Sequence, residues 1–190
     1  MSAAITRTGA FQAALGAVLI GLPSDLPAVP PLPPSGAINI SDIEATNLDG
    51  TTFHGAELAG KTVLLDFWAV WCGPCITAIP ALKDLSRELE GQNFEVVGIA
   101  SYSGTVDDVR ESVDRHAIDY KVVLAEPELV VHFGVIGFPT YMLMAPNGSI
   151  HDKYVGTLSK LTHRIRADVL ALAGGLGAPE QTATGNGKDQ

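Results

Sequence analysis

The run TVLLDFW, residues 62–68, limits the fold of this 190-residue chain more than any other stretch. It is nearly continuous in apolar, β-favouring side chains, the pattern of a strand buried on both faces. Such a strand needs a layer above it and another below, so it belongs inside a sheet rather than at an edge. Just beyond it, Ile76, Ile79, Leu82, Leu85 and Leu89 recur at steps of three and four. That spacing predicts a helix over about residues 73–90 with a single apolar stripe. Pro80 falls within it and is expected to kink it, because it lacks an N–H and crowds the carbonyl four residues back.

The flanking segments build an α/β order. IEATNLDGTTF reads as two short extended pieces around the hairpin signal Asp49-Gly50, and FEVVGIAS as a second buried strand. Thr105 with Asp108 forms a capping-box start for a helix reaching about residue 116. VVLA is a short strand, and PELVVHFG a short helix stopped by Gly134. YMLMA and SIHDKYV flank another hairpin signal, Pro146-Asn147-Gly148. A last helix over about residues 159–173 turns Leu161, Ile165, Val169 and Leu172 inward and ends at Gly174-Gly175. Parallel crossovers followed by an antiparallel hairpin imply a mixed central sheet covered by helices on both faces.

The ends have a different character. After Arg7 comes AFQAALGAVLIGL, an apolar run too short for a comfortable membrane span. It reads as a signal peptide or membrane anchor, although Gln12 interrupts it and no clean small-x-small cleavage site follows. A disordered cytoplasmic extension is the alternative. PAVPPLPPSG is a stiff spacer, and GGLGAPEQTATGNGKDQ lacks apolar periodicity. The expected organisation is therefore a signal or anchor with linker over 1–37, a folded domain over 38–174, and a disordered tail over 175–190. With a formal net charge of −9, the chain has no electrostatic footing for nucleic acid.

Cys72 and Cys75 are the only cysteines. That spacing serves metal ligation, haem attachment or dithiol exchange. Haem attachment requires a His after the second Cys, where this chain has Ile76. Structural zinc requires four ligands, and His54, His116, His132, His151 and His163 show no paired spacing, so no such metal site is expected. A two-coordinate Cu(I) site on the thiolates survives. Dithiol exchange fits positively, because Cys72 stands where a buried strand gives way to a helix. Unpaired N–H groups and the helix dipole there stabilise a thiolate, lowering its pKa below the free value of about 8.5. Cys75, one turn along, is placed to resolve a mixed disulfide, and Gly73-Pro74 permits the tight first turn. Asp66 interrupts the apolar strand, where desolvation raises a carboxyl pKa, so it is a candidate proton carrier for Cys75. Trp71 is expected over the site as substrate surface, with core packing as the alternative. In Gly137-Phe138-Pro139-Thr140 the proline peptide bond is cis or trans; spacing does not decide.

Taken together, LLDFWAVWCGPC, Pro80, Gly137-Phe138-Pro139-Thr140 and Val155-Gly156-Thr157-Leu158-Ser159-Lys160 resemble thioredoxins over most of residues 62–173. The resemblance implies a thioredoxin fold and a cis Pro139 that shields the dithiol from metals and helps bind substrate. The hairpin segment 43–68 and the helix and strand between about residues 104 and 131 resemble the N-terminal extension and the insertion of TlpA/ResA-type exported oxidoreductases. That branch often has a Glu where this chain has Ala78, and an Asn where it has Asp66. The implied activity is reduction of protein disulfides through the Cys72–Cys75 pair without an external cofactor, in cytochrome c maturation or more general extracytoplasmic reduction. Site residues implied are Cys72, Cys75 and Asp66 for catalysis, and Trp71, Gly73, Pro74, Phe138 and Pro139 for substrate. Implied partners are protein disulfides and a membrane or soluble thiol donor, with the chain a monomer in the periplasm or another extracytoplasmic space, or alternatively in the cytoplasm. A disulfide oxidase or isomerase keeps the same fold and reverses the electron flow. A peroxidase lacks its upstream Pro and Thr pattern.

Overall fold

The computed structural model describes residues 38–173. The readings of 1–37 as signal or anchor with linker, of 175–190 as a tail, and of Gly174-Gly175 as a helix stop lie outside those residues.

A short 3-10 turn, Ile40–Asp42, leads into a hairpin of β1 (Glu44–Asn47) and β2 (Thr52–His54). Next come β3 (Thr62–Trp68), α1 (Gly73–Glu88), β4 (Phe94–Ala100), α2 (Val106–Arg115) and β5 (Lys121–Leu124). The chain continues through α3 (Pro127–His132), β6 (Thr140–Met144), β7 (Ile150–Val155) and α4 (Thr162–Ala173). One seven-stranded sheet runs in the order β2-β1-β5-β4-β3-β6-β7. β3, β4 and β5 are parallel, while β6, β7 and the β1–β2 hairpin add antiparallel pairs. The sheet is mixed, the architecture is α/β, and the fold is that of thioredoxin.

Every residue of β3 is buried, as its unbroken apolar run requires. Side chains alternate across a strand, so β3 serves two cores. Val63, Leu65 and Phe67 pack with Ile40, Ile43 and Phe53 of the N-terminal extension and with Val130 and Phe133 of the α3 region. On the opposite face Leu64 meets Leu82 and Leu85 of α1 and Ile165 and Val169 of α4. Trp68, also on that face, packs with Cys75 and Ile79 of α1 and Val109 of α2. Asp66 lies between Leu64 and Trp68 in the period-two sequence and so belongs to the α1 side.

Several boundaries differ from the sequence pattern. Ile76 was expected on the buried stripe of α1 but is only half-buried, because helix rotation puts Ala78 into the core instead. As expected, Pro80 lies inside the helix, on its exposed side. The last helix begins at Thr162, preceded by a separate 3-10 turn over Leu158–Lys160. The capping box of α2 forms as expected, Thr105 Oγ1 accepting from the Asp108 N–H and the Asp108 carboxylate accepting from the Thr105 N–H.

Candidate active site

The C-terminal end of β3 determines where the dithiol lies. Beyond Trp68 the chain turns sharply, the Cys72 N–H donating to the Ala69 carbonyl, and enters α1. Ser103 steadies this turn: its hydroxyl accepts from the Val70 N–H and donates to the Ser101 carbonyl. Cys72 is the N-cap residue of α1, with extended backbone, and its sulfur accepts from the Cys75 N–H at 3.3 Å. The two cysteines are disulfide-bonded and both are buried, whereas Gly73 and Pro74 between them are exposed. An N-cap sulfur facing the free N–H groups of a helix is where a thiolate is stabilised after reduction.

β6 runs antiparallel to β3, with Phe67 opposite Thr140, and this register brings the loop before β6 to the dithiol end of the sheet. The Phe138–Pro139 peptide bond is cis, and the Thr140 hydroxyl donates to the Gly137 carbonyl at 2.7 Å to close the turn. An apolar cleft of about 540 Å³ joins Pro74 on the dithiol turn to Phe138 and Pro139, with Ala78, Gly156 and Leu158 along its walls. On the other side of Phe138, a second cleft of about 350 Å³ has Trp71, Tyr102 and Ile136 in its lining.

Trp71 is 66% exposed, so it is surface and not core. Its indole N–H donates to the Tyr102 carbonyl at 2.8 Å, and its ring centroid is 6.2 Å from that of Phe138. Tyr102 holds a positive φ of 52°, unusual for a residue with a side chain, and its own ring stands 6.3 Å from Phe138. Sequence reasoning missed Tyr102; the signal available was an aromatic residue directly after a buried strand, at the same sheet end as the cysteines.

Asp66 is 2% exposed, and its Oδ1 has no hydrogen-bond partner. Burial pushes its carboxyl up to about 8, so it carries a proton at neutral pH. Its neighbours across the sheet are Gly98 on β4 and Tyr141 on β6. Among the described residues, no group of three or more His, Cys, Asp or Glu side chains is arranged to hold a metal ion.

Comparison with known proteins agrees with this geometry. Residues 31–170 match the family model described as Redoxin. The chain belongs to the Redoxin family. Similar members include the thioredoxin-like protein YneN of Bacillus subtilis, 29% identical over 120 residues. That alignment covers 63% of this chain and 71% of YneN. The thiol-disulfide oxidoreductase ResA of Oceanobacillus iheyensis is 33% identical over 113 residues, 59% of this chain and 58% of ResA. A solved thiol:disulfide interchange protein of the thioredoxin family from Chlorobium tepidum superposes with a TM-score of 0.61 at 27% identity, covering 73% of this chain and 98% of that one. Within the Redoxin family this chain is a thioredoxin-like thiol–disulfide oxidoreductase of TlpA/ResA type, with Cys72-Gly73-Pro74-Cys75 as its CxxC motif.

Proposed function

We propose that this Redoxin reduces disulfide bonds in protein substrates, with the Cys72–Cys75 dithiol as its only redox group and no external cofactor. The Cys72 thiolate attacks one sulfur of the substrate disulfide, forming a mixed disulfide and expelling the first substrate thiolate. The Asp66 carboxylate then takes the proton of the Cys75 thiol, and Cys75 attacks the Cys72 sulfur. The Cys72–Cys75 bond forms, the second substrate thiolate leaves, and two electrons have passed from the dithiol to the substrate. A dithiol donor returns them: one donor thiolate attacks Cys72, and Cys75 departs as a thiolate and takes the proton back from Asp66. The donor's second thiol then attacks the donor sulfur of the mixed disulfide, releasing Cys72 as a thiolate and leaving the donor as a disulfide. One proton thus shuttles between Asp66 and Cys75, leaving Asp66 protonated beside the disulfide and ionised beside the dithiol.

One observation carries this reading. The sulfur of Cys72 caps α1 and accepts the Cys75 N–H, while a proton-bearing Asp66 is buried on the same side of β3 as Cys75. Trp71, Gly73, Pro74, Phe138 and Pro139 surround the dithiol and form the surface against which a substrate strand lies. The Gly-Pro pair between the cysteines resembles that of reducing thioredoxins and motivates the direction of flow. Ala78 and Asp66 favour a broad protein-disulfide reductase over one restricted to cytochrome c maturation. The apolar run 10–22 supports an extracytoplasmic location, where a membrane or soluble thiol carrier must supply the electrons, and the chain acts as a monomer. No helix among the described residues is long and apolar enough to cross a membrane.

The test is capture. Cys75→Ser removes the resolving sulfur, so the variant expressed in its own host should remain disulfide-linked through Cys72 to its substrates. Proteins of the secretory route in that adduct support the reading, and an absence of any Cys72-linked protein would remove it. A redox titration settles direction: a potential toward about −270 mV fits a reductant, and one near about −120 mV assigns the oxidase role instead.

A further inference from the structure

The α1-facing side of β3 holds a set of polar atoms that the fold leaves idle. Asp66 Oδ1, Trp68 Nε1 and the Tyr141 hydroxyl are all buried and all lack hydrogen-bond partners. The three residues share one face of the sheet. Trp68 follows Asp66 by two positions on β3, and Tyr141 stands directly opposite Asp66 in the β3–β6 pair. Side chains so paired have Cβ atoms about 4.5–5.5 Å apart. On the other flank Asp66 pairs with Gly98, which has no side chain to offer. A Cβ there would come within 3.1 Å of Trp68 Nε1 and 3.4 Å of the Tyr120 ring, so the indole N–H and that ring close over the glycine beside Asp66.

Among the described residues no cation offsets the burial of this carboxyl. Tyr120 and Tyr141 are the phenols its charge reaches, and both are pushed up first by burial and then by Asp66. Above it α1 contributes Cys75, Ala78 and Ile79 to the core, and Trp68 is its neighbour on β3. The cations of α1 lie at the surface and are engaged there, Lys83 by the Ala117 carbonyl and Arg87 by Asp119. Idle buried donors are costly unless another state of the molecule uses them. A protonated Asp66 does not need them; an ionised one does.

We infer that Tyr141 is a positioning residue for the proton shuttle, its phenol donating to the Asp66 carboxylate in the dithiol state, with the Trp68 indole N–H as the second donor. The pocket is therefore organised for the protonation state that the disulfide form lacks. Tyr141, rather than a counter-charge, governs how readily Asp66 gives up its proton. The inference rests on the shuttle reading of Asp66, and the experiment separates the two.

The experiment follows the Asp66 carboxyl in the reduced protein by carbon-13 NMR, the signal being assigned by its loss in Asp66→Asn. Tyr141→Phe deletes one oxygen and keeps the packing. Loss of a hydrogen bond to a charged group should raise the Asp66 midpoint by about one pH unit or more. The pH profile of dithiol-dependent reduction of a small disulfide should move with it. A more acidic phenol at the same position, 2,3-difluorotyrosine, should lower the midpoint, a reversal that altered packing would not produce. A midpoint unmoved by Tyr141→Phe, or moved only by Tyr120→Phe, overturns the inference. If instead Asp66→Asn leaves the rate and pH profile of resolution unchanged, the shuttle reading fails, and the effect of Tyr141 on the carboxyl titration is judged on its own.

Discussion

In the proposed mechanism Asp66 carries the proton, and the burial that suits it to that role has a measurable cost. A carboxyl raised from 3.8 to about 8 by burial keeps its proton in the native state over a range where the unfolded chain has released it. Stability from this group is complete below about pH 4 and declines as pH rises toward 8, by about 1.4 kcal/mol per unit. Asp66→Asn cannot ionise, so its denaturation midpoint should be flatter across that window and higher than wild type at pH 7; parallel profiles for the two proteins would refute the raised carboxyl. Trp71 offers a second readout. It is exposed, hydrogen-bonded to Tyr102 and one residue from Cys72, so its emission should change on reduction, and identical spectra in both redox states would count against contact with the site. Asp66 and the cysteines were legible in the sequence because each violates its local pattern: a charge in an apolar strand, and sulfurs at a strand-to-helix junction. Tyr141, Tyr102 and Trp68 were not, since their meaning depends on register and loop geometry, which no local spacing encodes.

At the scale of elements, strand and helix identities followed from periodicity, while packing decided the details. β3 formed as read: its run is short, rich in β-favouring side chains and buried at all seven positions. In α1 the small Ala78 takes a buried position while Ile76, read as part of the stripe, stays half-buried. The N-terminal extension was legible as a hairpin but not as a close dock against the turn before it. Gly55 makes that dock. Its N–H donates to the Ile43 carbonyl at 2.8 Å, and a Cβ there would lie 1.9 Å from the Ile40 carbonyl oxygen and 2.8 Å from Ile43 Cβ. Backbone cannot yield as a flexible side chain does, so Gly55→Ala should destabilise the protein by about 1–3 kcal/mol or more in denaturant unfolding. A variant as stable as wild type would mean that the extension contributes little to the domain.

Across the whole molecule, the sheet order explains how a redox centre can change state without endangering the fold. β3 and β4 occupy the interior of the sheet, their ends feed the dithiol turn and the Ser101–Ser103 segment, and β6 delivers Pro139 to the same end. The two cores on either face of β3 draw on every helix and on the N-terminal extension, and only one of them includes the cysteines. A disulfide between residues three apart closes so short a loop that it restricts the unfolded chain far less than a long-range bridge does. Fold stability therefore rests on layer packing, and the bond between the sulfurs is free to serve chemistry. Native-state hydrogen exchange should reflect this division. In both redox states the slowest amides should belong to β3, β4 and β6, with the edge strands β2 and β7 exchanging earlier. Reduction should change protection around residues 69–76, 101–103 and 137–140 and leave the central strands as they were. Should reduction instead release β3 and β4 together, the disulfide would be a structural clasp, and the separation between a rigid sheet and a chemically active rim would not hold.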